Sequence, residues 1–218
     1  MKIKYEDIVA NDLVKKCIER ADVVSLPRGG KEHGFSHATH VADMTRMILD
    51  AIGCSRREME LGAIAGYLHD VGYMIDENAH GENGAAVALR LLQKLNADPD
   101  DIGRIVTAIE HYEGAGASSV SDITAALIIA DAADLRPERV RKTSPSVFDK
   151  GDKANYYAAQ ARLEVAGEDI KLTIKTEPNH CSVMDYFEFV MDRMILCRQA
   201  AERLKMDFSL IINGRKML

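Results

Sequence analysis

One stretch of the sequence constrains the fold more than any other. Residues 123–130 carry no charge and a single hydroxyl, and the residue that follows them is Asp131. A helix that is apolar on nearly every side is a buried helix. Because a buried carboxylate is costly without a positive partner, Asp131 needs either a basic side chain or a metal ion nearby. The stretch therefore predicts a central helix whose end carries an acid that requires a cation.

Helical patterning extends over the first two thirds of the chain. Apolar side chains recur there at helical spacing, for example at Val41, Met44 and Ile48. Breaks in the pattern occur at the Asp98-Pro99 pair and at glycines, namely Gly53, Gly72, Gly114 and Gly116. Six helices are predicted, over residues 5–24, 36–52, 56–71, 82–96, 100–112 and 122–136.

The pattern changes in the last third of the chain. Residues 162–175 alternate polar and apolar side chains around Gly167, which is typical of a hairpin with one buried face. Ser182 and Asp185 resemble a capping box that opens a long amphipathic helix. Residues 208–213 are a candidate third strand. We therefore expect a mainly α fold, a helical bundle with a small C-terminal antiparallel sheet.

Size and charge limit the domain organisation and the partners. The chain has 218 residues and a formal net charge of −6, which argues against a protein that binds duplex nucleic acid. We expect a helical metal-binding domain over residues 1–145 and an extension over residues 146–218 packed on the same globule. An exposed edge of the sheet could pair with a second copy, so a homodimer is one expectation.

Two further features concern the cellular location. The longest wholly apolar run, residues 125–130, is far shorter than the roughly 20 residues that cross a bilayer, and no apolar leader follows the N-terminus. The four cysteines are far apart and form no CxxC motif, which is typical of free thiols in a reducing compartment. The sequence predicts a cytoplasmic protein without a membrane partner.

Six of the seven histidines lie between residues 33 and 111. Taken singly, His37 is a candidate core residue, the His69-Asp70 pair could make a hydrogen bond at a helix end, and His80 and His111 have the pattern of surface residues. Taken together, the predicted helices could bring six ligands to one centre, namely His37, His69, Asp70, His80, His111 and Asp131. We expect the remaining His33 and His180 at the surface.

The chemistry of these six side chains favours particular metals. Four imidazoles and two carboxylates suit divalent iron, manganese, nickel, cobalt or zinc better than magnesium or calcium, which prefer oxygen ligands. Six ligands exceed what one tetrahedral zinc ion requires. One or two metal ions are therefore expected, with two favoured and with Asp70 as a candidate bridge between them.

The motifs that carry these residues resemble a known family. The order His37, His69-Asp70 and Asp131 resembles that of the HD-domain superfamily of metal-dependent phosphohydrolases. The strings GFSHATHVADM, GYLHDVGY, HGENGAA and AIEHYEG resemble the HDIG-type branch, in which two further histidines complete a two-metal site. The resemblance covers residues from about 30 to 140 and implies an HD-type helical bundle.

The resemblance also implies a distribution of roles. The first metal would be held by His37, His69, Asp70 and Asp131. The second would be held by Asp70, His80 and His111, and these three would be the catalytic residues. The implied reaction is the cleavage of a phosphate ester of a nucleotide or a similar small molecule by a metal-activated hydroxide. Candidates to orient the imidazoles are Asn78, Glu82, Glu110 and Asp134.

Some features depart from the family pattern or remain open. Tyr73 and Tyr112 stand where relatives that cleave cyclic dinucleotides commonly carry Lys and His, which disfavours such substrates. Basic residues flanking the motifs are expected to contact the substrate, with a solvated linker as the alternative for residues 136–153. These substrate-binding candidates are Arg28, His40, Arg136, Arg141 and Lys150, with Lys31 as a further one. Two other functions remain open, a di-iron oxygenase of the same superfamily and a non-catalytic nucleotide-binding regulator.

Overall fold

A computed structural model describes residues 2–28, 30–113, 120–176 and 181–218, with Arg28 described by its backbone alone. The predictions for Gly114, Gly116, His180 and the Arg28 side chain therefore lie outside the described part. Within it, the chain forms nine α-helices and four strands: α1 Tyr5–Ala10, α2 Asp12–Ser25, α3 Phe35–Ala51, α4 Arg56–Leu68, α5 His80–Lys94, α6 Pro99–Glu110, α7 Asp122–Ala133, α8 Lys150–Tyr156, β1 Ala158–Ala166, β2 Asp169–Thr176, α9 Val183–Arg203, β3 Asp207–Ile212 and β4 Arg215–Lys216.

The first predicted helix, residues 5–24, is divided in two at Asn11. The side chain of Asn11 accepts hydrogen bonds from the backbone N–H groups of Leu13 and Val14, so this residue is the N-cap of α2. Asparagine is among the best residues at that position because its short side chain reaches the unpaired N–H groups of the first turn. Apolar spacing alone missed the break because it continues across the cap.

Helix α7 is the centre of the bundle, as its uncharged sequence predicts. Ten of its twelve residues are buried, and it lies against α3, α4 and α9. Its first turn is capped by Ser121, whose hydroxyl accepts the N–H of Thr124. The chain thus enters a buried helix without leaving that N–H group unpaired, and Asp131 reaches the last turn of α7 inside the protein.

Helices α3 and α4 approach each other closely at Gly66. A Cβ atom on Gly66 would lie 2.8 Å from the Cα atom of Ala42, which is closer than real Cβ contacts. The absence of a side chain at this position lets the two backbones meet. This contact brings His37 of α3 next to His69, the C-cap residue of α4.

The sheet has the strand order β1-β2-β3-β4. Strand β1 is antiparallel to β2, β2 is parallel to β3, and β3 is antiparallel to β4. The predicted fold class, mainly α with a small C-terminal sheet, is confirmed. The prediction that every strand pair is antiparallel is wrong, because α9 crosses back between β2 and β3, and a helical crossover returns the chain in the same direction.

The sheet and α9 share one apolar core with the helical bundle. Ile170 and Leu172 of β2 and Val190 and Met194 of α9 belong to the same buried cluster as the residues of α7. The division of the chain at residues 145 and 146 stays a prediction. None of the described helices is both long and apolar enough to span a bilayer.

Candidate metal centre

Four of the predicted ligands meet beside the end of α7. The Nε2 atom of His37 lies 3.3 Å from Oδ2 of Asp70 and 3.3 Å from Oδ1 of Asp131. The Nε2 atom of His69 lies 3.1 Å from Oδ1 of Asp70 and 3.8 Å from Oδ1 of Asp131. Two imidazoles and two carboxylates therefore meet at one point, delivered by α3, by the C-cap residue of α4 and the residue after it, and by α7.

The donor set fits a divalent metal ion. The Nε2 atoms of His37 and His69 are buried, and neither has a hydrogen-bond partner among the described residues. Leaving such atoms unpaired is costly, and a metal ion would satisfy both. Two overlapping groups, His33-His37-Asp70 and His37-His69-Asp131, have ligand atoms that all lie within 4.8 Å of one another.

The second nitrogen of each imidazole is held by the protein. The Nδ1 atom of His37 lies 2.7 Å from Oδ2 of Asp134, and Nδ1 of His69 lies 2.7 Å from the carbonyl oxygen of Gly66. Such contacts fix the tautomer that leaves Nε2 available as a ligand. The expected orienting role of Asp134 agrees with this contact, whereas the other candidates Asn78, Glu82 and Glu110 are exposed.

His33 is one of two site residues that the sequence patterns did not identify. It is 8% exposed, and its Nδ1 atom lies 2.6 Å from Oδ2 of Asp70. The prediction that His33 lies at the surface is wrong, because the loop before α3 folds over the site. His33 lies four residues before His37, a spacing that would place both rings on one face of a helix. The helix α3 begins only at Phe35, however, so His33 reaches the site from the preceding loop.

Asp70 has a second protein partner. The hydroxyl of Tyr112 donates to Oδ1 of Asp70 at 3.0 Å, on the other oxygen from the one that His33 contacts. Tyr112 is buried, and Asp70 is 7% exposed. Both oxygens of this carboxylate are thus held in place by side chains, which fixes its orientation towards His37 and His69.

The other two predicted ligands lie differently. The Nε2 atom of His80 is 2.7 Å from Oε2 of Glu113, and its ring stacks on Tyr73 with a centroid distance of 4.1 Å. The side chain of His111 is 45% exposed, and its Nε2 atom is 3.9 Å from Oε2 of Glu110. Neither histidine belongs to the two ligand groups found among the described residues. Their role as ligands of a second metal stays a prediction.

The electrostatics of the site favour an added positive charge. Burial is the largest effect on the pKa of His37 and lowers it, as Arg139 does, but the contacts with Asp131, Asp134 and Asp70 outweigh both and raise it to about 9. Burial raises the pKa values of Asp70 and Asp131, yet the neighbouring histidines, joined by Arg193 at Asp131, bring both well below their usual range. Without a metal, a proton on His37 balances part of the negative charge of Asp70, Asp131 and Asp134.

A cavity of about 330 Å³ opens over Asp70 and Asp131. Its lining includes His33, Tyr73 and Tyr112. Four basic side chains also line it, namely Lys31, Arg139, Lys142 and Arg193. Burial, Arg193 and Arg139 together lower the pKa of Lys31 to about 7. Six acidic side chains line it as well, so the cavity combines a group of cations with the carboxylates of the metal centre.

Apart from Lys31, the predicted substrate-binding residues lie outside this cavity in the described part of the chain. Arg136 binds Asp134 through two nitrogen–oxygen contacts of 2.6 and 2.8 Å, and Arg141 binds Asp22 through two contacts of 2.6 Å. His40 is half-buried and Lys150 is exposed, and neither lines the cavity. The two arginines are occupied by internal carboxylates, so their role with a substrate stays a prediction.

Arg193 of α9 was also missed. Its guanidinium lies 3.7 Å from Oδ2 of Asp131, and its Nη1 atom is buried without a hydrogen-bond partner among the described residues. Arg193 lies three residues after Val190 and four before Cys197, so it shares a face of α9 with these two buried apolar residues. A charge within that apolar stripe was the signal that the C-terminal helix reaches the site.

Comparison with known proteins agrees with this geometry. Residues 34–136 match the family model described as the HD domain, a range that contains all four converging ligands. No curated protein matches the chain. The assignment to the HDIG-type branch stays a prediction. HD domains bind divalent metals, and the match identifies residues 34–136 of this chain as an HD domain, the domain of a superfamily of metal-dependent phosphohydrolases.

Proposed function

We propose that this protein hydrolyses a phosphate ester of a nucleotide or a similar small molecule. The observation that carries the proposal is the pair of buried, unpartnered Nε2 atoms of His37 and His69, which face Asp70 and Asp131 beside a cavity lined by basic side chains. A divalent metal bound there would polarise the phosphoryl group and lower the pKa of a bound water.

The protein's own residues have distinct tasks in this proposal. His37, His69, Asp70 and Asp131 hold the metal. His33 contacts the carboxylate of Asp70 at 2.6 Å and restricts its rotation. Residues that lock a ligand in one orientation spare the site the cost of ordering it during the reaction.

The charges of the cavity link phosphate binding to metal binding. Four basic residues line it against six acidic ones, Asp70, Glu77, Glu113, Asp131, Asp149 and Asp152, which leaves a formal charge of −2. A phosphate would be repelled by that charge, and one divalent cation would cancel it. We therefore expect the protein to bind phosphate only after the metal.

Within the cavity, three of the basic residues are the better candidates for phosphate contacts. Lys142 lies 3.0 Å from Asp149 and 2.5 Å from Asp152, so its charge is already compensated. Lys31, Arg139 and Arg193 come from three different parts of the chain and line the cavity. The ion pairs of Arg139 with Asp134, at 3.8 Å, and of Arg193 with Asp131, at 3.7 Å, are longer than a hydrogen bond. We propose these three in place of Arg136 and Arg141.

The number of metal ions has its own test. The two ligand groups among the described residues share His37 and are compatible with a single ion, whereas the family resemblance implies a second ion held by Asp70, His80 and His111. Metal analysis of protein purified without a histidine tag distinguishes the two. One equivalent per chain supports the single centre, and a second equivalent that is lost in a His80→Ala variant supports the two-metal site.

The activity test is a panel of phosphate esters with manganese, iron, cobalt or nickel. We expect metal-dependent phosphate release that is lost in Asp131→Asn and retained in Asp122→Asn. Asp122 is a fair control because it lies at the other end of α7 in an exposed ion pair with Arg203. Equal turnover in Asp131→Asn, or no turnover of any ester by the metal-loaded protein, would contradict the proposal. Oxygen consumption would instead support the oxygenase, and nucleotide binding without turnover the regulator.

A further inference from the structure

The two edges of the sheet differ. The β4 edge is two residues long and carries Arg215 and Lys216, both exposed. The β1 edge, Ala158–Ala166, is nine residues long and pairs only with β2 among the described residues. Short, basic edges resist pairing with another chain, whereas a long edge without proline or lysine presents unpaired backbone groups to one. The β1 edge has one irregularity, between Ala158 and Gln160, and its pairing with β2 is regular from Gln160 to Ala166.

The side chains of β1 divide cleanly between its two faces. Ala161, Leu163 and Val165 are half-buried and pack against the apolar core. Arg162 and Glu164 point to the opposite face, with side chains that are 71% and 43% exposed and 3.1 Å apart. The centre of the edge strand β1 therefore has a basic, an apolar and an acidic residue in succession, namely Arg162, Leu163 and Glu164.

This order is self-complementary in one antiparallel register. Two copies related by a two-fold axis perpendicular to the sheet pair around a single residue, because opposite residues in an antiparallel pair share a face. Around Leu163, Arg162 faces Glu164 of the second copy, and the symmetry repeats that pair. Pairing around Arg162 or around Glu164 would place two like charges directly opposite each other.

The same register also suits the apolar face. Leu163 would lie opposite its own symmetry mate, and Ala161 opposite Val165 of the second copy. The half-buried apolar row at the edge of the core would thus continue across the two-fold axis. Directly opposite pairs of unlike charge stabilise a strand pair, and pairs of like charge destabilise it.

We propose that β1 is a docking surface for a second copy of this chain, in the antiparallel register centred on Leu163. The two sheets then form one continuous sheet across a symmetric dimer. The inference is independent of the hydrolase proposal, because Arg162 and Glu164 lie outside the residues that line the metal-site cavity.

Charge reversal on the full chain tests the register. By sedimentation velocity we expect wild type to be a dimer, and Arg162→Glu and Glu164→Arg each to raise the dimer dissociation constant by about tenfold or more, since each replaces two attractive pairs by two repulsive ones. A one-to-one mixture of the two variants should form a heterodimer, and the double variant Arg162→Glu/Glu164→Arg should dimerise again. Rescue by the mixture excludes misfolding as the cause of the single-variant effect.

The control is Lys175→Glu, a charge reversal on the neighbouring strand β2. It should leave the dimer unchanged. Wild type that stays monomeric at about 100 μM, a concentration at which weak specific dimers form, would overturn the proposal. Dimers that survive both single reversals, or single variants that fail to associate when mixed, would equally exclude this register.

Discussion

The Nδ1 atom of His33 lies 2.6 Å from Oδ2 of Asp70, and this contact ties the loop before α3 to the carboxylate that follows α4. The backbone N–H of His33 donates to Oδ1 of Asp22 at 2.8 Å. Asp22 in turn is held by Arg141. Arg141, expected from the sequence to contact a substrate, thus supports the loop that places His33.

Replacing His33 should weaken metal binding. In His33→Gln, Asp70 loses the ring that restrains one of its oxygens, and we expect the metal dissociation constant to rise by about 10- to 100-fold, as for other residues that orient a metal ligand. Isothermal titration with manganese measures this directly. His40→Gln is the matched control, because His40 is half-buried on α3 outside the cavity. Equal affinity in the two variants would show that His33 does not orient Asp70.

The stability of the metal-free protein should depend on pH through His37. Its pKa is raised from 6.5 to about 9, so the proton on His37 stabilises the folded state fully below about pH 6.5, and this contribution is lost as the pH rises through 9. The metal competes with that proton, so metal affinity should increase over the same range. Thermal unfolding with chelator, between pH 6 and 10, measures the first effect. Burial lowers the pKa of His80, but the contact with Glu113 outweighs it and raises the pKa to about 9, which adds a slope of the same sign. Burial lowers the pKa of Lys31 to about 7, which adds a slope of the opposite sign. The contribution of His37 is therefore the difference in slope between wild type and His37→Gln, and equal slopes in the two would assign the effect to other groups.

Gly72→Ala should destabilise the fold near the site. A Cβ atom on Gly72 would lie 1.9 Å from the carbonyl oxygen of His80 and 2.4 Å from the backbone nitrogen of Gly84, so α5 would have to move. We expect a loss of about 1–3 kcal/mol in the free energy of unfolding, as for other overpacked sites. Gly103→Ala in α6 is the control, because its Cβ would meet nothing within 4 Å. It should gain up to about 1 kcal/mol from better helix propensity.

Arg193→Met should weaken phosphate binding by the metal-loaded protein. Loss of a hydrogen bond to a charged group costs about 1.5–3 kcal/mol, so we expect the dissociation constant for inorganic phosphate to rise by about 10- to 100-fold. Arg198→Met, exposed on the same helix, should have no effect. Titration calorimetry with inorganic phosphate measures this dissociation constant without any turnover. An unchanged affinity in Arg193→Met would remove this residue from the anion site.

The sequence by itself determined the features that depend on near neighbours. The apolar run before Asp131 predicts the buried helix α7, and Ser182 predicts the start of α9, where its side chain accepts the N–H of Asp185. The order of His37, His69-Asp70 and Asp131 was enough to identify the superfamily. Helix periodicity, capping and motif order each depend on residues that are close together in the sequence. The packing of the helices left these local features unchanged.

The tertiary structure alone decided which distant residues meet. Arg141 and Asp22 are 119 positions apart, and no local pattern distinguishes an arginine that holds an internal aspartate from one that awaits a phosphate. The same holds for Arg193, whose approach to Asp131 depends on how α9 packs against α7. The parallel pairing of β2 and β3 likewise follows from the path of α9 across the sheet. These contacts arise from the mutual packing of whole helices and strands, which the spacing of residues along the chain does not specify.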